Sequence, residues 1–460
     1  MKNVWMMLLF VSVLGAGIVE TKEGTFLEIY SEKNRDSSVL AKVSTRKGKI
    51  DKKTCFNNRM QEEWCRVVYT YDGIILEGYS DKKSLDIITN TPNTKLTFEK
   101  SYGGKYDDEA KALLVLENGF LLVGKTQSFG QGNTDTYIIK TDKFGNELFW
   151  AAYGGRNSDE ANAVVEVEDG FMIAGTTSSF GNRVQSLYLA KIAQNGNLLW
   201  QKGYYSDKDD YYVGNDLIKI NKSDVLVMGV EEHVAFFDSE INCYLNAMDS
   251  KGQRFAIKRY GGEDIDRANS VVAVEDGYVF AGETETWGHG DADAYVVKID
   301  KDGNRVWHNA FGFNHDERAN QIIATKDGGF ILVGTTDSSY KHQKNIYVVK
   351  IRENGTREWH GSYGYEEDEE GFGIVETDDG YVLAGYSTDT KNYDSDVYLL
   401  KLNKNGDTLW NKRYGGTKDD KAYAIAKTED GFAIAGYTTS SESYSKDVLL
   451  LRVDNNGDIK

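Results

Sequence analysis

Tyr153-Gly154-Gly155, the run 159–167 opening with Asp159-Glu160-Ala161, the turn Glu168-Asp169-Gly170 and then Phe171-Met172-Ile173-Ala174-Gly175 decide how this chain folds. Short runs rich in Val, Ile and Phe read as strands, and an Asp-Gly pair between two of them reads as a tight hairpin. Working outward, Leu187-Tyr188-Leu189-Ala190-Lys191-Ile192 gives a third strand, and a turn at Gly196 leads to a fourth over 198–202. No helical period interrupts the four.

The same unit recurs. Tyr-Gly-Gly or a relative of it starts at Tyr102, Tyr153, Tyr204, Tyr260, Phe311, Tyr363 and Tyr414, at intervals of 51, 51, 56, 51, 52 and 51 residues. Gly145, Gly196, Gly252, Gly303, Gly355, Gly406 and Gly457 all fall in the last turn of a unit, where positive φ closes a hairpin without steric cost. Seven units of four antiparallel strands predict an all-β chain folded as a seven-bladed β-propeller. The seventh unit lacks a fourth strand, while 96–101 is a spare fourth strand ahead of the first unit. That segment is expected to complete the last blade, so that the N-terminal strand closes the ring and no open sheet edges remain.

The 460 residues are 40% hydrophobic, 27% charged and 12% aromatic, with Gly 47, Pro 1 and Cys 3. Such a chain buries more than one core, and a single Pro excludes collagen-like and Pro-rich architectures. Three Cys make no disulfide scaffold, and six scattered His leave little for a transition-metal site. Asp300-Lys301-Asp302-Gly303-Asn304 resembles a calcium loop, but no bidentate Glu follows at the required spacing, so it is read as a turn. No metal and no cofactor are expected. Residues 92–460 hold 40 Lys+Arg against 60 Asp+Glu, net -20, and an acidic body of that kind does not seek nucleic acid phosphates.

Residues 1–19 begin with Lys2, continue almost wholly apolar from Val4 to Leu14 and end near Gly15-Ala16-Gly17. This reads as a secretory signal, too short to span a bilayer, which places the mature chain in the periplasm or outside the cell with no membrane span. A short buried N-terminal segment is the alternative reading. Residues 22–91 carry 13 Lys+Arg against 11 Asp+Glu, net +2, and alternate β-like runs with charged turns. Residues 90–94, with Pro92, read as a linker to the propeller at 96–460. Cys55 and Cys65 most simply form a disulfide in an exported protein, the alternative being two reduced buried thiols.

The repeat, Tyr-Gly-Gly followed by Asp, Ala, Asp-Gly-Phe/Tyr, Ala-Gly-Tyr/Thr, Asp-x-Tyr, Lys, Asn-Gly-Asn and Trp, resembles that of secreted bacterial and archaeal β-propeller proteins. The likeness implies the fold and leaves the activity open. Blade three departs from it, with Tyr204-Tyr205-Ser206 for Tyr-Gly-Gly and Lys222-Ser223-Asp224 for the Asp-Gly turn. Leu27-Glu28-Ile29-Tyr30-Ser31 and Trp64-Cys65-Arg66-Val67 make residues 22–91 similar to a bacterial Src-homology-3-like domain, a small barrel. That resemblance implies binding to cell-wall peptide or an adaptor role, although Ile75-Leu76-Glu77-Gly78-Tyr79 alters the usual Gly-Trp-Val strand.

Two repeated constellations are candidate ligand sites. An acid stands two residues before the Ala or Gly of each first strand: Asp108, Asp159, Asp266, Glu317, Glu369 and Asp420, with Asp210 nearest in blade three. These form a rim at one mouth of the channel that either holds a cation or a cationic partner, or accepts backbone N–H bonds and pins adjacent blades. The loops between second and third strands each carry an aromatic: Phe129, Phe180, Trp287, Tyr340, Tyr393 and Tyr444, with Phe236 or Phe237 in blade three. Exposed rings beside carboxylates suit sugars or peptides, and packing between blades is the alternative. Lys140, Lys191, Lys298, Lys350, Lys401 and Arg452 share one third-strand position, as partners of the acids or as solvated side chains. No nucleophile, base and orienter converge once, so the chain reads as an exported, non-catalytic binding or scaffold protein of the cell envelope. Its expected partners are an envelope protein, peptidoglycan or another glycan, met by a monomer; the alternative is a carbohydrate-active hydrolase or lyase using rim carboxylates.

Overall fold

A computed structural model describes residues 96–460, apart from 182–184, 206–209, 235–238, 338–342, 365–366, 390, 392, 441–444 and 460, together with the backbone of five earlier strands. The chain divides into two units, Met1–Thr94 and Lys95–Lys460. In the first, Phe26–Tyr30, Val39–Ser44, Lys49–Asn57, Glu63–Tyr71 and Ile74–Asp81 form one five-stranded sheet in the order second, first, fifth, fourth, third. Cys55 and Cys65 stand opposite each other in its register. The signal segment 1–19, the linker 90–94 and the side chains on which the Src-homology-3 likeness and the disulfide rest lie outside the described residues.

The second unit is a seven-bladed β-propeller: seven four-stranded antiparallel sheets, with no helix among the described residues. The first strands of successive sheets touch one another around an axis, and the first strand of the seventh touches that of the first. First strands therefore line the channel and fourth strands face outward. Second and third strands, such as Gly170–Thr177 and Ser186–Ile192, are buried along their whole length because a neighbouring sheet covers each face. The outer Leu198–Tyr204 is only half-buried. In the seventh sheet the fourth strand is Phe98–Tyr102, antiparallel to Asp447–Asp454, with Tyr102 opposite Val448 and Phe98 opposite Arg452.

Seven apolar clusters, each shared by two adjacent sheets, form the core. Between blades two and three, Met172, Leu187 and Leu189 meet Val225, Val227 and Tyr244. Between blades seven and one, Ala433, Val448 and Leu450 meet Ala110, Phe120 and Ile139. On the outer side, the motif tyrosine of one blade donates its hydroxyl to the hairpin glycine of the next: Tyr102 to the Gly145 carbonyl at 2.6 Å, Tyr153 to Gly196 at 2.6 Å, Tyr260 to Gly303 at 2.8 Å and Tyr363 to Gly406 at 2.7 Å. Where the motif has Phe311, the Asn309 amide makes this bond instead, to Gly355 at 3.1 Å. Gly196 shows why the turn needs glycine: its φ is 87°, and a Cβ there would lie 2.5 Å from the Phe149 ring of the preceding blade.

Every first strand carries a bulge at one place, leaving Lys111, Asn162, Asn215, Asn269, Asn320, Phe372 and Tyr423 unpaired in the ladder. A bulge re-aims a side chain out of the strict alternation. Repeated on the innermost strands, it sets a ring of seven side chains on the channel wall.

Candidate functional site

The acids at the head of the first strands are buried, none more than 2% exposed. Asp159 shows their use: Oδ2 accepts the Gly155 N–H at 2.7 Å and the Ser179 hydroxyl at 2.6 Å, while Oδ1 accepts the Thr177 hydroxyl. Asp108 accepts from Gly104 and Ser128, Asp266 from Gly262 and Thr286, and Asp420 from Gly416 and Ser440. Glu317 accepts the Phe313 N–H and the Thr336 hydroxyl; Glu369 accepts the Ser387 hydroxyl at 3.1 Å and faces Arg413 at 3.8 Å. These carboxylates pin the Tyr-Gly-Gly turn to the following blade rather than opening onto a rim. The glycines are needed beside them, since a Cβ on Gly154 would meet Asp135 at 2.3 Å and Asp159 at 2.6 Å.

The loop aromatics pack mostly within their own blades. Phe129 lies 4.4 Å from Trp150 and 5.6 Å from Tyr137; Phe180 stacks on Tyr188 at 6.3 Å; Trp287 stacks on Tyr295 at 5.1 Å and meets His308 edge-on at 4.8 Å. Tyr393 is different, 77% exposed at φ 63°. Tyr340, Tyr444, Phe236 and Phe237 lie outside the described residues. The third-strand cations pair with the acids of the Asp-Gly turns, not with the acids of the first strands. Lys191 reaches Asp169 at 2.8 Å, Lys298 Asp276 at 2.8 Å, Lys350 Asp327 at 2.9 Å and Arg452 Asp430 at 2.7 Å. Lys401 pairs with Asp379, while Lys140 donates to the Gln194 carbonyl at 3.0 Å. Asp300 accepts the main-chain N–H groups of Asp302 and Asn304, as a turn residue does. Cys243 is buried and burial pushes its thiol pKa up.

Blade three rebuilds the pin with its parts exchanged. Tyr212 stands opposite Glu231 where blade two sets Asp159 opposite Thr177. The Tyr212 hydroxyl donates to Glu231, which also takes Arg259 in a bidentate pair. Asp210, the sequence candidate, pairs with His233 instead. The added residues extend the second and third strands, Val225–Val234 and Ser239–Met248, to ten residues each.

The seven bulge residues divide the channel wall into two sectors. In blades two to five each is an asparagine whose amide donates to the first strand of the next blade. Asn162 reaches the Gly214 carbonyl at 3.0 Å, Asn215 Ala268 at 2.8 Å, Asn269 Ala319 at 2.9 Å and Asn320 Gly371 at 2.7 Å. In blades six, seven and one the same positions hold Phe372, Tyr423 and Lys111, and this chain of amides stops. Phe372 stacks on Tyr386 at 5.6 Å and meets Tyr423 edge-on at 5.3 Å; Tyr423 lies 6.0 Å from Tyr437. Three ammonium groups sit over these rings: Lys111 3.8 Å from the Tyr423 centroid, Lys421 3.8 Å from Tyr386 and Lys446 4.5 Å from Tyr437.

Glu109 is approached by Lys111 at 3.2 Å, Lys125 at 3.4 Å and Lys446 at 3.5 Å. Burial pushes its carboxyl pKa up, but the three lysines outweigh that and hold it below the usual carboxylate range. Lys344 pairs with Glu370 at 3.0 Å. Burial draws Lys421 below its ordinary pKa, with Asp419 and Glu370 opposing the fall and Lys446 and Lys344 adding to it. The sequence reading missed this sector because its residues belong to no repeated motif. The signal was the position three after each first-strand acid, which changes from Asn to Phe372, Tyr423 and Lys111.

No family model and no curated protein matches the chain. Among solved structures, Sqt1 from Chaetomium thermophilum aligns with a TM-score of 0.43 at 12% identity, over 74% of this chain and 82% of that one. The subtype N11 neuraminidase-like protein of A/flat-faced bat/Peru/033/2010 aligns at 0.40 and 9%, over 78% and 94%. A thermostable family-43 glycoside hydrolase aligns at 0.33 and 10%, over 59% and 96%. At these scores the likenesses assign no activity.

Proposed function

We propose that this chain is an exported, non-catalytic binding protein of the cell envelope, and that its propeller holds a glycan or protein partner at the sector formed by blades six, seven and one. The carrying observation is the replacement of the asparagine clamp by Phe372, Tyr423 and Lys111 on one side of an otherwise repeated ring. Stability alone is served by the asparagine; aromatic rings and ammonium groups on a channel wall serve a ligand. The apolar run 4–14 supports export, and the Src-homology-3-like reading of 22–91 supports a second contact with cell-wall peptide. The hydrolase or lyase reading needs carboxylates that reach a substrate, and the six first-strand acids are buried against N–H, hydroxyl and guanidinium donors.

The test is capture of envelope proteins and isolated peptidoglycan by residues 20–460, compared with the variant Phe372→Asn/Tyr423→Asn, which extends the asparagine repeat into blades six and seven. Capture by the parent and its loss in a variant that melts normally is expected. Equal capture by both would overturn the siting, and capture by neither the binding reading.

A further inference from the structure

We infer that the sector of blades six, seven and one takes an acidic saccharide, a sugar ring bearing a carboxylate, with Lys421 and Lys446 meeting the carboxylate and Phe372 and Tyr423 the ring. This rests on the binding reading proposed above and names its ligand class. Lys111, Lys421 and Lys446 are each held over a tyrosine ring. An ammonium in that position is held by the ring quadrupole and keeps N–H donors pointing away from it. Carboxylates do not use up these donors. Glu109 is shared among Lys111, Lys125 and Lys446, and Glu160 takes Lys125, at 3.5 Å. Among the described residues no carboxylate lies within ion-pair distance of Lys421. Asp107 and Asp419 nearby accept the main-chain N–H groups of Lys446 and Ser395.

Burial lowers the pKa of both Lys111 and Lys421, so these ammonium groups have given up water that an anion would replace. The same wall carries the half-buried rings of Phe372 and Tyr423, and a ring beside an ammonium suits the C–H side of a sugar and discriminates against a bare inorganic anion. Blades four and five make the contrast at equivalent positions, where Arg267 pairs with Glu283 at 2.6 Å and Arg318 reaches the same carboxylate at 3.7 Å.

The experiment is titration calorimetry of residues 20–460 with tri-galacturonate and with an N-acetylmuramic-acid disaccharide, against galactotriose as the neutral counterpart and inorganic phosphate as the bare anion. At least one acidic saccharide is expected to bind ten-fold or more tightly than galactotriose and phosphate, and more weakly as salt rises. Lys421→Met and Lys446→Met should each weaken it at least five-fold, and Lys421→Arg, which keeps the charge, should retain most of the affinity; matched melting curves show that the variants fold. Absence of binding by both acidic saccharides, or binding untouched by Lys421→Met, overturns the inference. Tight binding of galactotriose that is lost in Phe372→Asn/Tyr423→Asn would overturn the acidic class while leaving the binding function standing.

Discussion

Blades two to five and blades six, seven and one share the same four-strand plan and differ in what stands at the inner-strand bulge. In the first group an asparagine on the inner-strand bulge bonds the next blade; in the second Phe372, Tyr423 and Lys111 take its place, with Tyr386, Tyr437, Lys421 and Lys446 gathered around them. The difference separates two demands on a repeat protein. Positions that keep the repeat hold blades together, and positions that leave it are released for contact with something else.

The largest effect should come from breaking what the blades share. Removing residues 96–102 takes the fourth strand from the seventh sheet together with the bond from Tyr102 to Gly145, and should abolish cooperative thermal melting followed by circular dichroism. Asp159→Ala leaves the Gly155 N–H and the Ser179 and Thr177 hydroxyls without their acceptor and should cost about 3 kcal/mol in denaturant unfolding.

Asp216 sharpens the contrast through pH. It sits beside the Asn215 bulge and accepts the Val271 N–H at 2.9 Å and the Ser270 hydroxyl at 3.1 Å from the next blade; burial raises its pKa to about 6. Between pH 4 and 6 the folded chain holds this proton more tightly than the unfolded chain, so its contribution to stability falls as pH rises through that window and is flat above it. Relative to Asp216→Asn, the parent should lose about 2 kcal/mol from pH 4 to pH 7. Tyr260→Phe removes one outer clamp and should cost about 1 kcal/mol, and Asn309→Ala a similar amount, because Asn309 does the work of the hydroxyl that Phe311 lacks. Phe372→Asn should change stability least, by under about 1 kcal/mol, because the chain already places asparagine there in four blades.

Much of the propeller was legible in the sequence, since each turn glycine, motif tyrosine and acid occupies one structural position in nearly every blade. Roles were less legible than positions. Asp159 and its equivalents lie at the head of the inner strands as their spacing implied, but hydroxyls of Thr177 and Ser179, some twenty residues away, turn them inward. The third-strand lysines were read as partners of the first-strand acids or as solvated side chains, whereas the register sets them against the acids of the hairpins opposite, such as Asp169. Tyr212 and Glu231 exchange the acid and the hydroxyl between two strands, a swap invisible until the register is known. The bulge ring was hidden for the same reason: strict alternation gives no cause to single out Asn162 or Phe372, and only the unpaired residue in the ladder does.

The most direct measurement is lysine footprinting by reductive methylation of residues 20–460, with and without bound envelope ligand, read residue by residue by mass spectrometry. Lys421 and Lys446 should be protected, with Lys202 and Lys412 on the outer strands unchanged. Protection confined to the outer strands, with Lys421 and Lys446 labelled as in the free protein, would contradict the proposed site.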